Sequence, residues 1–182
     1  MTSKSTQGDP RLELVKSRIR AVPDFPKPGI LFRDITPLLS DGAAWRVAIE
    51  LLEEQVTALR PDVLVAIESR GFLFGAPLAA RLGIGLVPVR KPGKLPYEKT
   101  SVEYALEYGT DTLEMHVDGL SKGQRVVIVD DVIATGGTAW AACELVRRAG
   151  ATPVGAAFFV ELTFLAGRKR LAPIECRAVL AY

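Results

Sequence analysis

The residues best suited to chemistry lie in one stretch, Val126-Val127-Ile128-Val129-Asp130-Asp131-Val132-Ile133-Ala134-Thr135-Gly136-Gly137-Thr138. An apolar run ends in two carboxylates, and a short loop with two glycines and two threonines then opens a helix. Ligands of open α/β sheets bind at the carboxyl ends of strands. A helix N-terminus offers unpaired N–H groups and a partial positive charge, which suits a phosphate. Gly136 and Gly137 let the backbone approach closely, and Thr135 and Thr138 add hydroxyl donors. Asp130 and Asp131 would repel a bare polyphosphate, but they can accept hydrogen bonds from two adjacent sugar hydroxyls. A ligand with a phosphate at one end and a ribose diol beside it satisfies both halves. The stretch is not a P-loop, because GxxxxGK(S/T) is absent, nor a Rossmann fingerprint, because the acid pair precedes the glycines. A plain strand-to-helix turn is the alternative, disfavoured by the coincidence of buried strand, acid pair and Gly/Thr loop.

Two further segments follow apolar runs. Glu68-Ser69-Arg70-Gly71-Phe72-Leu73-Phe74-Gly75 offers backbone donors around Ser69 and a guanidinium, Arg70, able to hold a pyrophosphate in bidentate fashion. Arg90-Lys91-Pro92-Gly93-Lys94-Leu95-Pro96 sets Arg90, Lys91 and Lys94 among Gly and Pro, a positive rim for an anionic leaving group. Other candidates read as structural. Arg147-Arg148 fit a helix C-terminus, Arg168-Lys169-Arg170 a solvated turn, and Cys143 the packed side of a helix. His116 has no acid paired with it nearby in sequence and is not expected to be catalytic. By its apolar type alone, Phe32 reads as core.

These segments need elements to hold them. Val63–Ile67, Ile84–Val89, Val126–Val129, Val154–Val160 and Cys176–Ala181 read as strands, the first an apolar run typical of burial on both faces. Helices are expected at 11–20, from an Asp41 cap to Leu59 with Trp45, Ala48, Ile49, Leu52, Val56 and Leu59 on one face, at 72–82, and at 138–149. Alternating buried strands and helices predict an α/β fold, a twisted, mainly parallel sheet built from right-handed βαβ units. Val22 to Gly29, with Pro23, Pro26 and Pro28, reads as an extended loop. Leu31 to Ile35 is extended. Ser101 to Val117 alternates on either side of Gly109-Thr110-Asp111, the pattern of a hairpin with one wet face, placed to act as a lid.

The chain has 182 residues, 48% hydrophobic and 24% charged, which predicts one domain over 1–182, with a polar tail at 1–10 and a loop and hairpin at 91–117. A net charge of +2 argues against an obligate nucleic-acid binder. Two cysteines and one histidine cannot supply a four-ligand zinc site or a disulfide framework. No apolar run approaches a membrane span, and the polar start is no signal peptide, so a cytoplasmic protein is expected.

The Asp130–Thr138 segment resembles the phosphoribosyl-pyrophosphate motif of the type I phosphoribosyltransferases. The resemblance implies that Asp130 and Asp131 bind ribose and that Ala134, Thr135, Gly136, Gly137 and Thr138 cradle the 5-phosphate. It also implies the parallel sheet with its flexible hood hairpin, a Mg²⁺ cofactor bound through substrate and water, and a homodimer. Within the family, Phe25 to Pro37 is similar to the base pocket of the adenine-using branch. There Phe32 would stack on the purine, the backbone at Leu31 and Arg33 would read its edge, and Leu162 would pack on the other side. Members using 6-oxopurines carry an aspartate where Ala134 stands. Orotate-specific members share the loop but lack the Phe25–Pro37 segment. A non-catalytic sensor of phosphoribosyl pyrophosphate would need an added DNA-binding module, for which the residues before Val22 leave no room. The resemblance of Leu106-Glu107-Tyr108-Gly109 implies that Glu107 is the acid–base residue. The expected reaction is therefore transfer of the phosphoribosyl group to adenine, giving AMP and pyrophosphate.

Overall fold

The computed structural model describes residues 8–105 and 109–182. The chain divides into two compact units, up to Leu51 and from Leu52 onward.

In the first unit, Asp9 and Pro10 start helix α1 (Pro10–Ser17). The Asp9 carboxylate accepts the Arg11 N–H, and proline is pre-shaped for the first helical turn. The helix stops before the expected residue 20, because Arg20–Pro23 forms strand β1. It pairs antiparallel with β2 (Leu31–Asp34), Val22 opposite Phe32. The start of the proline-rich stretch is thus strand rather than loop, which a two-stranded ribbon tolerates because its outer edge needs no ladder bonds. Arg20 Nε meets Asp34 Oδ2 at 3.0 Å across the ribbon. A short helix not anticipated from the sequence, α2 (Thr36–Ser40), follows. Asp41 then caps α3 (Gly42–Thr57) as expected, its Oδ1 accepting from the N–H groups of Ala43 and Ala44 at 3.1 Å each.

The second unit is built on a five-stranded parallel sheet of β3 (Val63–Ile67), β4 (Gly85–Val89), β7 (Arg125–Ile133), β8 (Thr152–Glu161) and β9 (Glu175–Ala181), in the order β4-β3-β7-β8-β9. From β3 the chain passes through α4 (Arg70–Leu82) to β4 at one edge. It then returns past β3 to β7, so the strand order reverses between β3 and β7. The carboxyl ends of those two strands flank the switch point where such sheets bind ligands. One face of the sheet, through Val63, Val65, Ile67, Val126, Ile128 and Phe158, shares a buried cluster with α5 (Gly137–Arg148). On the opposite face Phe74 of α4 stacks on Phe159 of β8, ring centroids 5.2 Å apart.

The predicted hairpin is present as β5 (Lys99–Ala105) and β6 (Thr110–His116), with Thr110 and Asp111 already in strand. Val102, Tyr104, Leu113 and Met115 pack into the α5 cluster, and Arg148 of α5 donates to the Ser101 carbonyl at 2.6 Å. The outer face is not uniformly wet. Glu114 is buried, accepting from Lys99 Nζ at 2.9 Å and from the Gly93 N–H at 3.1 Å. Val117, expected on the apolar face, is exposed. The 168–170 cations also depart from expectation. They form a short helix, α6 (Arg168–Leu171), in which Arg168 Nε bonds the buried Glu161 carboxylate at 2.6 Å. Among the described residues no helix is long and apolar enough to cross a membrane.

Candidate active site

At the switch point lies a cleft of about 310 Å³ lined by Glu68, Ser69, Arg70, Lys91 and the continuous run Asp130 to Ala139. Its shape follows from unequal strand lengths. β3 pairs with β7 only as far as Val129 and stops at Ile67, whereas β7 continues beside β8, Asp130 opposite Phe158 and Ile133 opposite Glu161. The acid pair therefore lies inside a strand, not past its end, with its β3 side open to the cleft.

Helix α4 begins at Arg70, two residues earlier than the apolar pattern suggests, and enters close against β7. A Cβ on Gly71 would stand 2.8 Å from the Val129 carbonyl oxygen and 2.9 Å from Asp130 Oδ1, so only glycine permits this approach. It brings Arg70 onto the buried Asp131, and the guanidinium Nε bonds the carboxylate directly. Asp130 is half-buried and accepts the Asp131 N–H at 2.9 Å. Burial, and then the neighbouring Asp131 carboxylate, push its proton affinity well above the usual carboxylate range. Hydroxyl donors arriving at the pair would relieve both effects.

The Gly/Thr loop, Ala134-Thr135-Gly136, closes onto α5. Gly136 holds the left-handed conformation, φ +80°, and its carbonyl accepts the Trp140 N–H at 2.9 Å, starting the helix. From behind, Gly167 presses on the loop. A Cβ on Gly136 would lie 2.5 Å from the Gly167 carbonyl oxygen. The N–H groups that open α5 are thereby presented to the cleft as a preformed anion site.

Of the predicted pyrophosphate ligands, Ser69, Arg70 and Lys91 line the cleft; Arg90 and Lys94 do not. Arg90 is turned to Glu68, with Nε and a terminal nitrogen each 3.2 Å from a carboxylate oxygen, and lies over the Phe72 ring. It also donates to the Lys94 carbonyl at 3.2 Å. Lys91 bonds the Asp111 carboxylate directly and the Tyr104 hydroxyl at 3.3 Å. Burial opposes the charges of this pair, yet hydrogen bonding to Lys91 holds Asp111 below the ordinary carboxylate range. Asp111, Tyr104, Glu68 and Gly167 were not singled out from the sequence. Asp111 lies twenty residues from Lys91, and no periodicity links them.

Leu31, Phe32 and Arg33 lie on β2 of the first unit. Phe32 is half-buried rather than core, its ring edge-on to Phe25 at 5.1 Å. Leu162, in the second unit, follows β8 and donates its N–H to the Ile133 carbonyl at 3.0 Å. Glu107 lies outside the described residues. His116 does not line the cleft; its Nε2 is buried without a hydrogen-bond partner, and its ring is edge-on to Tyr97. Cys143 is buried, which pushes its thiol up to about 12, consistent with packing rather than chemistry.

A parallel sheet whose switch point presents an acid pair, a Gly/Thr anion loop and an arginine defines a phosphoribosyl transferase domain, and the profile of that domain matches residues 38–177. An adenine phosphoribosyltransferase of Roseiflexus sp. is 57% identical over 164 residues, 90% of this chain and 95% of that one. The crystal structure of the adenine phosphoribosyltransferase of Thermoanaerobacter pseudethanolicus superposes with a TM-score of 0.91 at 54% identity, covering 94% of this chain and 99% of the other. That of Saccharomyces cerevisiae, complexed with an imino-altritol bisphosphate and adenine, gives 0.87 at 40% identity over 93% and 98%. The chain belongs to the adenine phosphoribosyltransferase family.

Proposed function

We propose that this protein transfers the 5-phosphoribosyl group of phosphoribosyl pyrophosphate to adenine, yielding AMP and pyrophosphate, with the cleft as the sugar-phosphate site. The observation that carries the assignment is the single lining that joins Asp130–Asp131, the Ala134–Thr138 loop, Ser69, Arg70 and Lys91. The loop and the N-terminus of α5 take the 5-phosphate. Asp130 and Asp131 accept the two ribose hydroxyls, and the pyrophosphate extends toward Ser69, Arg70 and Lys91. Arg90, held by Glu68, and Lys94 do not line the cleft, and their part in pyrophosphate binding rests on the family. Base recognition by Leu31, Phe32, Arg33 and Leu162, acid–base work by Glu107, a homodimeric assembly and a cytoplasmic location belong to the same proposal and rest on the family.

Bond breaking at the anomeric carbon builds positive charge on the sugar and negative charge on the departing pyrophosphate. Among the described residues no cluster of three His, Cys, Asp or Glu could hold a metal. Two carboxylates beside a polyphosphate site nonetheless fit a Mg²⁺ carried by substrate oxygens and water. When bound, that ion would stabilise the leaving group. Arg70 and Lys91 orient the pyrophosphate, and the acid pair fixes the ribose.

Offered adenine, hypoxanthine, guanine, xanthine and orotate separately with phosphoribosyl pyrophosphate and Mg²⁺, the protein should convert adenine alone efficiently. Faster turnover of orotate or guanine would overturn the assignment. Thr138→Val keeps the side-chain shape but removes a hydroxyl at the helix start. A hydrogen bond to a charged group contributes about 1.5–3 kcal/mol, so calorimetry should find binding of phosphoribosyl pyrophosphate and of AMP weakened roughly tenfold or more. Unchanged affinity for both would remove Thr138 from the cradle.

A further inference from the structure

We propose that Asp111, on the hood hairpin, is the built-in counter-ion of the lysine that receives pyrophosphate, and that ligand binding exchanges one anion for the other while Tyr104 satisfies the carboxylate left behind. The proposal rests on the assignment of Lys91 to the pyrophosphate. Lys91 Nζ bonds Asp111 Oδ2 directly. The Tyr104 hydroxyl stands 3.3 Å from Lys91 Nζ, 3.2 Å from Asp111 Oδ2 and 3.3 Å from Thr138 Oγ1.

Donor and acceptor chemistry fixes the directions of these bonds. An ammonium only donates and an ionised carboxylate only accepts. The single phenolic proton of Tyr104 therefore goes to Asp111, and its oxygen accepts from Lys91 and from the Thr138 hydroxyl. The Tyr104 ring is buried in the α5 cluster, which holds the hydroxyl in place. Asp111 also accepts the Thr112 N–H at 2.8 Å. When Lys91 turns to a pyrophosphate oxygen, Asp111 keeps the Tyr104 and Thr112 donors. The carboxylate is thus not abandoned without partners, a loss that would otherwise oppose binding. Asp111 and Tyr104 are positioning residues. One competes with the ligand for Lys91, and the other lowers the cost of losing that competition.

Four proteins test this: the wild type, Asp111→Asn, Tyr104→Phe and the double variant, each titrated calorimetrically with Mg²⁺-pyrophosphate and, separately, with AMP. Asp111→Asn removes the competing charge, so pyrophosphate should bind about three- to tenfold more tightly with AMP affinity unchanged. Tyr104→Phe takes a donor from Asp111 and should weaken pyrophosphate binding about threefold in the wild-type background. The same change in the Asp111→Asn background should have no such effect. A merely structural role for Tyr104 would act equally in both backgrounds. Unchanged or weaker pyrophosphate binding by Asp111→Asn, with AMP binding intact, overturns the proposal, as does additivity of the two substitutions. Should AMP binding show that Asp111→Asn does not fold, Asp111→Ala carries the same expectation. Lys91→Gln separates this proposal from the assignment beneath it. If Lys91→Gln binds pyrophosphate as the wild type does, Lys91 is not a pyrophosphate ligand and both fall. If it binds more weakly while Asp111→Asn is unchanged, only the exchange is wrong.

Discussion

Glu107→Gln should lower kcat by about 10²–10⁴-fold while the binding of both substrates changes little. Adenine must lose a proton from its imidazole ring as it attacks the anomeric carbon, and in the reverse direction the ring must gain one. The Ala134–Thr138 loop carries no ionisable side chain for this. Ala134 is inert, the Thr138 hydroxyl bonds the Tyr104 oxygen, Asp131 is held by Arg70, Glu68 is held by Arg90, and Asp130 is assigned to the ribose under the proposed function. The hairpin segment carries further carboxylates, Glu103 and Glu107 among them. Over Val102 to Ala105 the strand alternates, Val102 and Tyr104 buried, Glu103 and Ala105 exposed. Glu107 itself is assigned from the resemblance of Leu106-Glu107-Tyr108-Gly109 to the family. Glutamine preserves size and hydrogen bonding but cannot take the proton. Steady-state kinetics with the Gln variant within about threefold of the wild type would move the role to another group.

Gly136→Ala should weaken binding of phosphoribosyl pyrophosphate and AMP by about 100-fold. The left-handed φ of +80° costs a residue with a Cβ about 1–3 kcal/mol, roughly 5- to 150-fold in affinity if the loop must relax to bind. The added methyl also stands 2.5 Å from the Gly167 carbonyl oxygen, a backbone atom. Gly167 has little room to yield, because the next residue, Arg168, bonds Glu161 and also the Cys176 carbonyl. Titration of AMP within about fivefold of the wild-type affinity would show that the loop does not need this conformation.

The sheet was legible because β3 and the start of β7 are continuous apolar runs, buried along their length. The Gly/Thr loop was legible as a strand-to-helix connection because small residues and hydroxyls stand together at the start of α5. Boundaries failed where tertiary contact overrode the local pattern. β7 runs on through Asp130 and Asp131 because β8 pairs with it there, although two carboxylates read locally as the end of a strand. α4 reaches back to Arg70 because Gly71 fits against Asp130. Glu114 is buried on the outer side of the hairpin because Lys99 and the Gly93 N–H compensate it. The cationic segment misled in a different way. Arg90, Lys91 and Lys94 read as one rim, yet Glu68 holds Arg90 and Asp111 holds Lys91, partners contributed from distant positions. Pairings of that kind leave no periodic trace in a single chain.

Those pairings give the cleft the character of an ion exchanger loaded with its own carboxylates. Arg70 holds Asp131, and Lys91 holds Asp111. A simple monovalent anion drifting in gains little, since it must displace a tethered carboxylate whose local concentration it cannot match. A ligand carrying a phosphate, a diol and a pyrophosphate on one frame can meet the loop, the acid pair and both cations in one event. Under the proposed function, selectivity against the small anions of the surrounding solution would follow from the acidic side chains that already pair with both cations.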